Sequence, residues 1–256
     1  MSGGLSFSSR LRRRLARLIW REGSPPPAVP APAWTYAGDG FATLHRAPFL
    51  TDPRFRRAYA HAKAIGAWHG ADIEWRAYTV CWAAQKARGL DGDFVECGVD
   101  RGGFSRAAMD YVRFETLAPR RFFLIDTYAG IPEETLVGDP NRDLLASRYE
   151  ESYEHVLRTF AEFPNAVVVR GTVPGILPEV ASEKVCYLCI DLNTVDASIA
   201  AVEYFWDRLV SGAPVVLDDY GQTFFAGMGD AFDDFARARG VEILSLPTGQ
   251  GLLFKP

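Results

Sequence analysis

Phe94-Val95-Glu96-Cys97-Gly98-Val99-Asp100-Arg101-Gly102-Gly103-Phe104-Ser105 runs an apolar strand into a glycine-rich turn and the start of a helix. Glycines let the backbone come close to a ligand, and a helix N-terminus offers it unpaired N–H groups. Three more apolar runs each end in a carboxylate: Phe122-Phe123-Leu124-Ile125-Asp126, Val185-Cys186-Tyr187-Leu188-Cys189-Ile190-Asp191 and Ala213-Pro214-Val215-Val216-Leu217-Asp218-Asp219. Ligands of open α/β sheets bind outside the carboxyl ends of the strands. Four strand ends are therefore expected to turn polar groups towards one crevice.

Working outward, strands are expected at 93–99, 121–126, 166–170, 185–191 and 213–218, with helices at 103–115, 147–162, 196–210 and 228–239. Short strands alternating with helices of ten or more residues predict an α/β fold, a doubly wound, mostly parallel sheet with helices on both faces. Strands 241–246 and 251–255, joined by Pro247-Thr248-Gly249-Gln250, read as a terminal antiparallel hairpin, which brings the sheet to seven strands. Residues 53–89 have helical spacing and read as one or two helices leading into the first strand. The expected organisation is a basic arm and Pro-rich linker over 1–33, an N-terminal helical cap region over 34–90 and a ligand-binding domain over 91–256.

The 256 residues carry a net charge of −4 that conceals an asymmetry. Residues 1–21 hold six arginines and no acid, which leaves 22 basic against 32 acidic groups in the rest. So acidic a body excludes nucleic acid as a partner held by general electrostatics. Residues 8–22 read as a short basic amphipathic helix, with Leu11, Leu15, Leu18 and Ile19 on one face. Such a helix suits contact with an anionic membrane surface or a partner, or is simply a solvated arm. It lacks the apolar core of a secretory signal, although an Arg- and Ser-rich start also resembles an organellar transit peptide. No run approaches a membrane span, and a cytoplasmic location is expected. Cys186 and Cys189 form a CxxC, but a strand turns positions three apart to opposite faces and no second pair or histidine completes a zinc set. Cys81, Cys97, Cys186 and Cys189 are expected as buried free thiols.

The spacing of Gly98, Gly102 and Gly103 does not meet the G-x-G-x-x-G of dinucleotide-binding folds, which disfavours an NAD-dependent oxidoreductase. The acid Glu96 before the first glycine and the terminal antiparallel pair look instead like a class I S-adenosylmethionine-dependent methyltransferase with a Rossmann-like sheet. Within that class, Glu96-Cys97-Gly98-Val99 with Arg101-Gly102-Gly103, Asp126-Thr127-Tyr128-Ala129-Gly130-Ile131-Pro132 and Asp218-Asp219-Tyr220-Gly221 closely resemble the macrocin-type (TylF-like) sugar O-methyltransferases. The resemblance covers about residues 75–256.

It implies a methyl donor whose methionine half is cradled by Glu96, Gly98, Arg101, Gly102, Gly103 and Ser105. Asp126, with Thr127, would accept the ribose hydroxyls; the alternative is that Asp126 caps its own turn. Gly171 and Thr172 stand where the class wraps the adenine, or form an ordinary loop. Asp191, Asp218 and Asp219 would repel one another without a cation between them, and such oxygen ligands suit Mg²⁺ or another hard divalent ion; alternatively, one or two cap the following turns. Asp191 and Asp218 are the candidate catalytic bases, since none of His45, His61, His69 and His155 lies in a strand-end motif. One departure stands out. The family usually reads Asp-x-Asp-x-Tyr after the fourth strand, and here Asn193 and Val195 replace the second Asp and the Tyr. The expected partners are a small-molecule or glycan hydroxyl acceptor and a second copy of the chain in a homodimer. A non-catalytic cofactor-binding scaffold recruited by the basic arm, and a methyltransferase for a non-sugar hydroxyl, are the competing readings.

Overall fold

The computed structural model describes residues 34–138, 140–225 and 227–256; the expected basic helix and Pro-rich linker lie outside them. The chain enters not with a helix but with a hairpin, β1 (Tyr36–Gly38) and β2 (Phe41–Thr43), paired antiparallel. Asp39 and Gly40 turn it with φ of 51° and 78°, the left-handed pair that a tight primed turn demands. The one or two helices expected over 53–89 are present, and a hairpin that the sequence reading did not include precedes them. An Asp-Gly between two short runs was the local signal.

Helix α1 (Pro53–Ala64) starts where the Asp52 carboxylate accepts the Arg54 N–H at 2.8 Å and Pro53 presets φ at the first position. Helix α2 (Glu74–Ala87) has no cap of its own, because Ile73 precedes it. Asp39 supplies one from the hairpin: its Oδ2 accepts the N–H groups of Trp75 (3.1 Å) and Arg76 (3.3 Å) and the Tyr36 hydroxyl at 2.5 Å.

The main sheet consists of β3 (Asp93–Cys97), β4 (Phe122–Asp126), β5 (Ala166–Arg170), β6 (Val185–Ile190), β7 (Pro214–Leu217), β8 (Leu244–Ser245) and β9 (Gly251–Phe254). Their order is β5-β4-β3-β6-β7-β9-β8. The first five are parallel, and β9 runs antiparallel to both β7 and β8. The remaining helices are α3 (Gly103–Val112), α4 (Arg142–Ala146), α5 (Tyr153–Phe160), α6 (Val195–Trp206) and α7 (Met228–Arg239).

Alternate strand residues face two apolar layers, as the pleat requires. Phe94, Phe122, Leu124 and Tyr187 pack under α1, α2 and α3, whereas Val95, Phe123, Ile125, Leu188 and Val215 pack under α6 and α7. The doubly wound expectation holds; β5 and α7 have the expected bounds, and most other elements are shorter than expected. Strand β3 ends at Cys97 because Gly98 has φ 88°, and α3 ends at Val112 because Arg113 has φ 55°. The helix expected over 147–162 begins only at Tyr153. Ser152 is drawn into the crevice, its N–H on the Tyr128 carbonyl and its hydroxyl on the Asp100 carbonyl at 2.9 Å. Strand β8 keeps two residues, both exposed, at the sheet edge. All four cysteines are free and buried as expected. The face argument for Cys186 and Cys189 fails, however: a register shift opposite Asp93 and Phe94 turns both thiols into the same layer.

Candidate active site

Two clefts open at the carboxyl ends of the parallel strands and share one wall. The first encloses about 710 Å³ between β3, β4, β5 and β6 and is lined by Gly98, Asp126, Thr127, Gly171 and Thr172. The second, about 870 Å³, lies between the Ala67–Gly70 turn and the segments after β6 and β7. Asp100, Tyr149, Asp191 and Asn193 line both.

In the first cleft Asp126 closes β4 and holds the glycine turn in place. Its Oδ2 accepts the N–H groups of Val99 (2.6 Å) and Asp100 (2.8 Å), and its Oδ1 accepts the Tyr128 N–H at 2.7 Å. Asp126 thus does the capping work and also faces the cleft. Thr127 donates to the Gly130 carbonyl at 2.6 Å, which folds the Asp126–Pro132 segment back on itself.

Glu96 is buried in β3 and takes the Ser105 hydroxyl. Burial first, and then the charges of Asp191 and Asp126, push its carboxyl well above the ordinary glutamate range. Glu96 and Gly103 line the second cleft; Arg101, Gly102 and Ser105 line neither. Arg101 pairs outward with Glu150 at 3.3 Å. A Cβ at Gly102 would run into the Phe160 ring, so packing against α5 explains that glycine without a ligand. At Gly103 a Cβ would strike Trp68 and Ala67.

The three acids after β6 and β7 do converge. Asp191, Asp218 and Asp219 each offer a carboxylate oxygen within 4.8 Å of the others. Their environments differ. Asp191 faces both clefts, and burial followed by the Asp219 charge pushes it up to about 8. Asp219 is also raised by burial and takes the Asn193 amide N–H at 2.7 Å. That amide lies 3.4 Å from Asp191 Oδ1, while the Tyr149 hydroxyl donates to Asn193 Oδ1 at 2.5 Å. Asp218 is fully buried and lines neither cleft. Arg76 grips it, Nε on Oδ1 at 3.2 Å and Nη2 on Oδ2, and the Gln250 amide donates to Oδ1 at 2.9 Å. Asp218, one of the two expected candidate bases, therefore has no face on either cleft.

Sequence reasoning missed the Ala67–Gly70 turn. Trp68 (φ 58°) and His69 (φ 50°) are left-handed side by side, a costly arrangement for bulky residues. His69 Nε2 lies 3.7 Å from Asp100 Oδ2 and lines the second cleft with Trp68, Phe104, Phe224 and Phe225. The glycines on either side, Gly66 and Gly70, were the available signal. Arg76 gave none.

Comparison with known proteins bears on the fold and the family. The chain is similar to the O-methyltransferase NovP, with 20% identity and a TM-score of 0.62 over 70% of this chain and 79% of that one. It is similar to the calicheamicin methyltransferase CalS11, with 17% identity and a TM-score of 0.54 over 82% and 94%. These likenesses show the fold. A Streptomyces olivaceus protein, 8-demethyl-8-(2,3-dimethoxy-alpha-L-rhamnosyl)-tetracenomycin-C 4'-O-methyltransferase, is 26% identical over 152 residues. That match takes in 55% of this chain and 57% of the relative, so the chain spans little more than half the length of the curated protein it matches. The macrocin O-methyltransferase (TylF) model matches residues 75–244, from the second helix through the sheet to the edge strand. By that match, the chain belongs to the macrocin O-methyltransferase (TylF) family.

Proposed function

We propose that this chain methylates a sugar hydroxyl with S-adenosylmethionine as donor, and that Asp191 takes the hydroxyl proton. The observation that carries the reading is the shared wall: Asp191 belongs to both clefts at once. A group-transfer enzyme needs donor and acceptor sites that meet at a proton acceptor. The family membership supports the O-methyl chemistry, and the rhamnosyl acceptor in the relative's name supports the sugar.

In this reading Gly98, Asp126, Thr127, Gly171 and Thr172 hold the donor, which supplies a methyl group on a cationic sulfur. The acceptor occupies the second cleft. Trp68, Phe104 and Phe224 offer aromatic faces to the C–H face of a sugar, while His69 and Gln222 offer hydrogen bonds to its hydroxyls. Asp191, raised to about 8, is a stronger base than an ordinary carboxylate and sits near the operating pH for proton transfer. The acceptor oxygen gains the methyl as the C–S bond breaks, and the hydroxyl proton passes to Asp191.

The carboxylates of Asp191, Asp218 and Asp219 fit a hard divalent cation by donor type and mutual distance. When bound, such a cation would lower the pKa of the acceptor hydroxyl. The amide of Asn193 braces Asp219 in either case.

The test is calorimetry with S-adenosylhomocysteine and NAD, followed by transfer of labelled methyl to a panel of glycosides and phenols. S-Adenosylhomocysteine should bind and NAD should not, with label reaching glycosides. Transfer confined to phenols would overturn the sugar assignment, and binding of NAD alone would overturn the methyltransferase reading.

A further inference from the structure

We infer that Arg76 is a resident rival of the divalent cation and keeps the affinity of the carboxylate cluster low by holding Asp218. The inference rests on the cation site proposed above and concerns a residue outside its ligand set. A cation shared by three acids needs an oxygen from each of them. Asp218 Oδ1 already takes hydrogen bonds from Arg76 Nε and the Gln250 amide, and its Oδ2, which accepts no hydrogen bond, lies in ion-pair contact with Arg76 Nη2. A guanidinium facing both oxygens of a buried carboxylate is a firm partner for it.

The two engaged groups are not equally fixed. Gln250 is fully buried and tied in turn to the Thr248 hydroxyl at 3.1 Å, so its contact is permanent. The Arg76 side chain is 22% exposed and lines the second cleft, so it has open space to swing into. Its main chain stays put, because the Asp39 cap holds the Arg76 N–H. Arg76 also brings a positive charge to the carboxylate cluster, which repels a second cation. One guanidinium against three carboxylates still leaves the cluster short of positive charge. A divalent ion is therefore admitted, but only by taking an Asp218 oxygen from Arg76.

The experiment titrates Mn²⁺ into the full chain saturated with S-adenosylhomocysteine and follows free Mn²⁺ by electron paramagnetic resonance. Arg76→Gln should bind Mn²⁺ at least about tenfold more tightly than the wild type. Arg76→Lys, which keeps the charge and loses the fork, should fall between them. In EDTA the Gln variant should melt below the wild type and regain that loss when Mn²⁺ is added, since binding to the folded state stabilises it; the wild type should gain far less. Equal or weaker Mn²⁺ binding by Arg76→Gln would overturn the inference. Should that variant not fold in EDTA, Arg76→Lys decides, and wild-type affinity there overturns it as well. Tight S-adenosylhomocysteine binding with no Mn²⁺ binding by any variant removes this inference and the cation while leaving methyl transfer standing. Loss of S-adenosylhomocysteine binding by the wild type removes the methyltransferase reading itself.

Discussion

Gly98 and Asp191 meet main chain to main chain: a Cβ on Gly98 would lie far inside contact distance of the Asp191 carbonyl oxygen. The Asp191 N–H also donates to the Cys97 carbonyl at 2.8 Å. The glycine turn and the proposed base are thus seated on each other. Gly98→Ala should cost about 3 kcal/mol or more, from the side chain at φ 88° and the overlap together. Urea unfolding reads the cost, and a change under about 1 kcal/mol would show that the two strand ends separate easily.

Asp126 satisfies three N–H groups, and in the proposed function it also faces the donor. Asp126→Ala should therefore lower stability by about 2–4 kcal/mol and cut S-adenosylhomocysteine affinity by about a hundredfold. Calorimetry and denaturant unfolding on the same preparation separate the two losses. Normal affinity in a weakened fold would leave Asp126 a capping residue alone.

Glu96 sets a pH dependence. Its folded carboxyl is held well above the ordinary 4.5, so the folded chain binds this proton more firmly than the unfolded one does. The stability it contributes is complete below about pH 4.5 and declines as pH rises towards its folded value. Glu96→Gln removes the ionisation. Unfolding without ligands should therefore show the variant gaining on the wild type between pH 5 and pH 8, and parallel profiles would contradict the burial argument.

Asp191 and Asp218 should separate chemistry from structure. Asp191→Asn should lose about 10²–10⁴ in kcat, as expected for removal of a general base, with little change in melting temperature. Asp218→Asn strips the partner of a partly buried guanidinium and should lower stability markedly. Equal kinetic losses with equal stabilities would put both carboxylates at the acceptor.

His69 touches the second cleft and not the first. His69→Ala should raise the acceptor KM by about tenfold, the loss of one or two hydrogen bonds, and leave S-adenosylhomocysteine affinity unchanged. A shift in donor affinity instead would place the Ala67–Gly70 turn over the donor.

The sheet was legible because the parallel strands are apolar runs, three of which end in a turn acid: Asp126 after β4, Asp191 after β6, and Asp218 with Asp219 after β7. Gly98, Thr127, Gly171 and Thr172, the residues proposed to hold the donor, were named from their places at strand ends together with the family resemblance. Packing of distant segments was not legible. Arg76 and Asp218 lie 142 positions apart, and nothing local marks Arg76, the one arginine of its helix, as the partner of a buried acid. Asp39 and Gly40 carried a hairpin signal, but the strands on either side are three residues each and too short to show a period of two. Gly102 misled in the opposite sense: a glycine in a ligand-binding motif answered to the Phe160 ring. The shortened helix before Tyr153 was hidden because Ser152 bonds to Tyr128 and Asp100, partners that only the folded crevice supplies.

The family match begins at residue 75, yet the carboxylate that seats the start of that helix comes from Asp39. A fragment trimmed to the match would begin with a frayed first turn, and Arg76 would leave its post beside Asp218. The smallest autonomous unit of this protein is therefore expected to include the stretch from Tyr36 onward, and anyone dissecting or transplanting the family-matched body should carry the little hairpin with it.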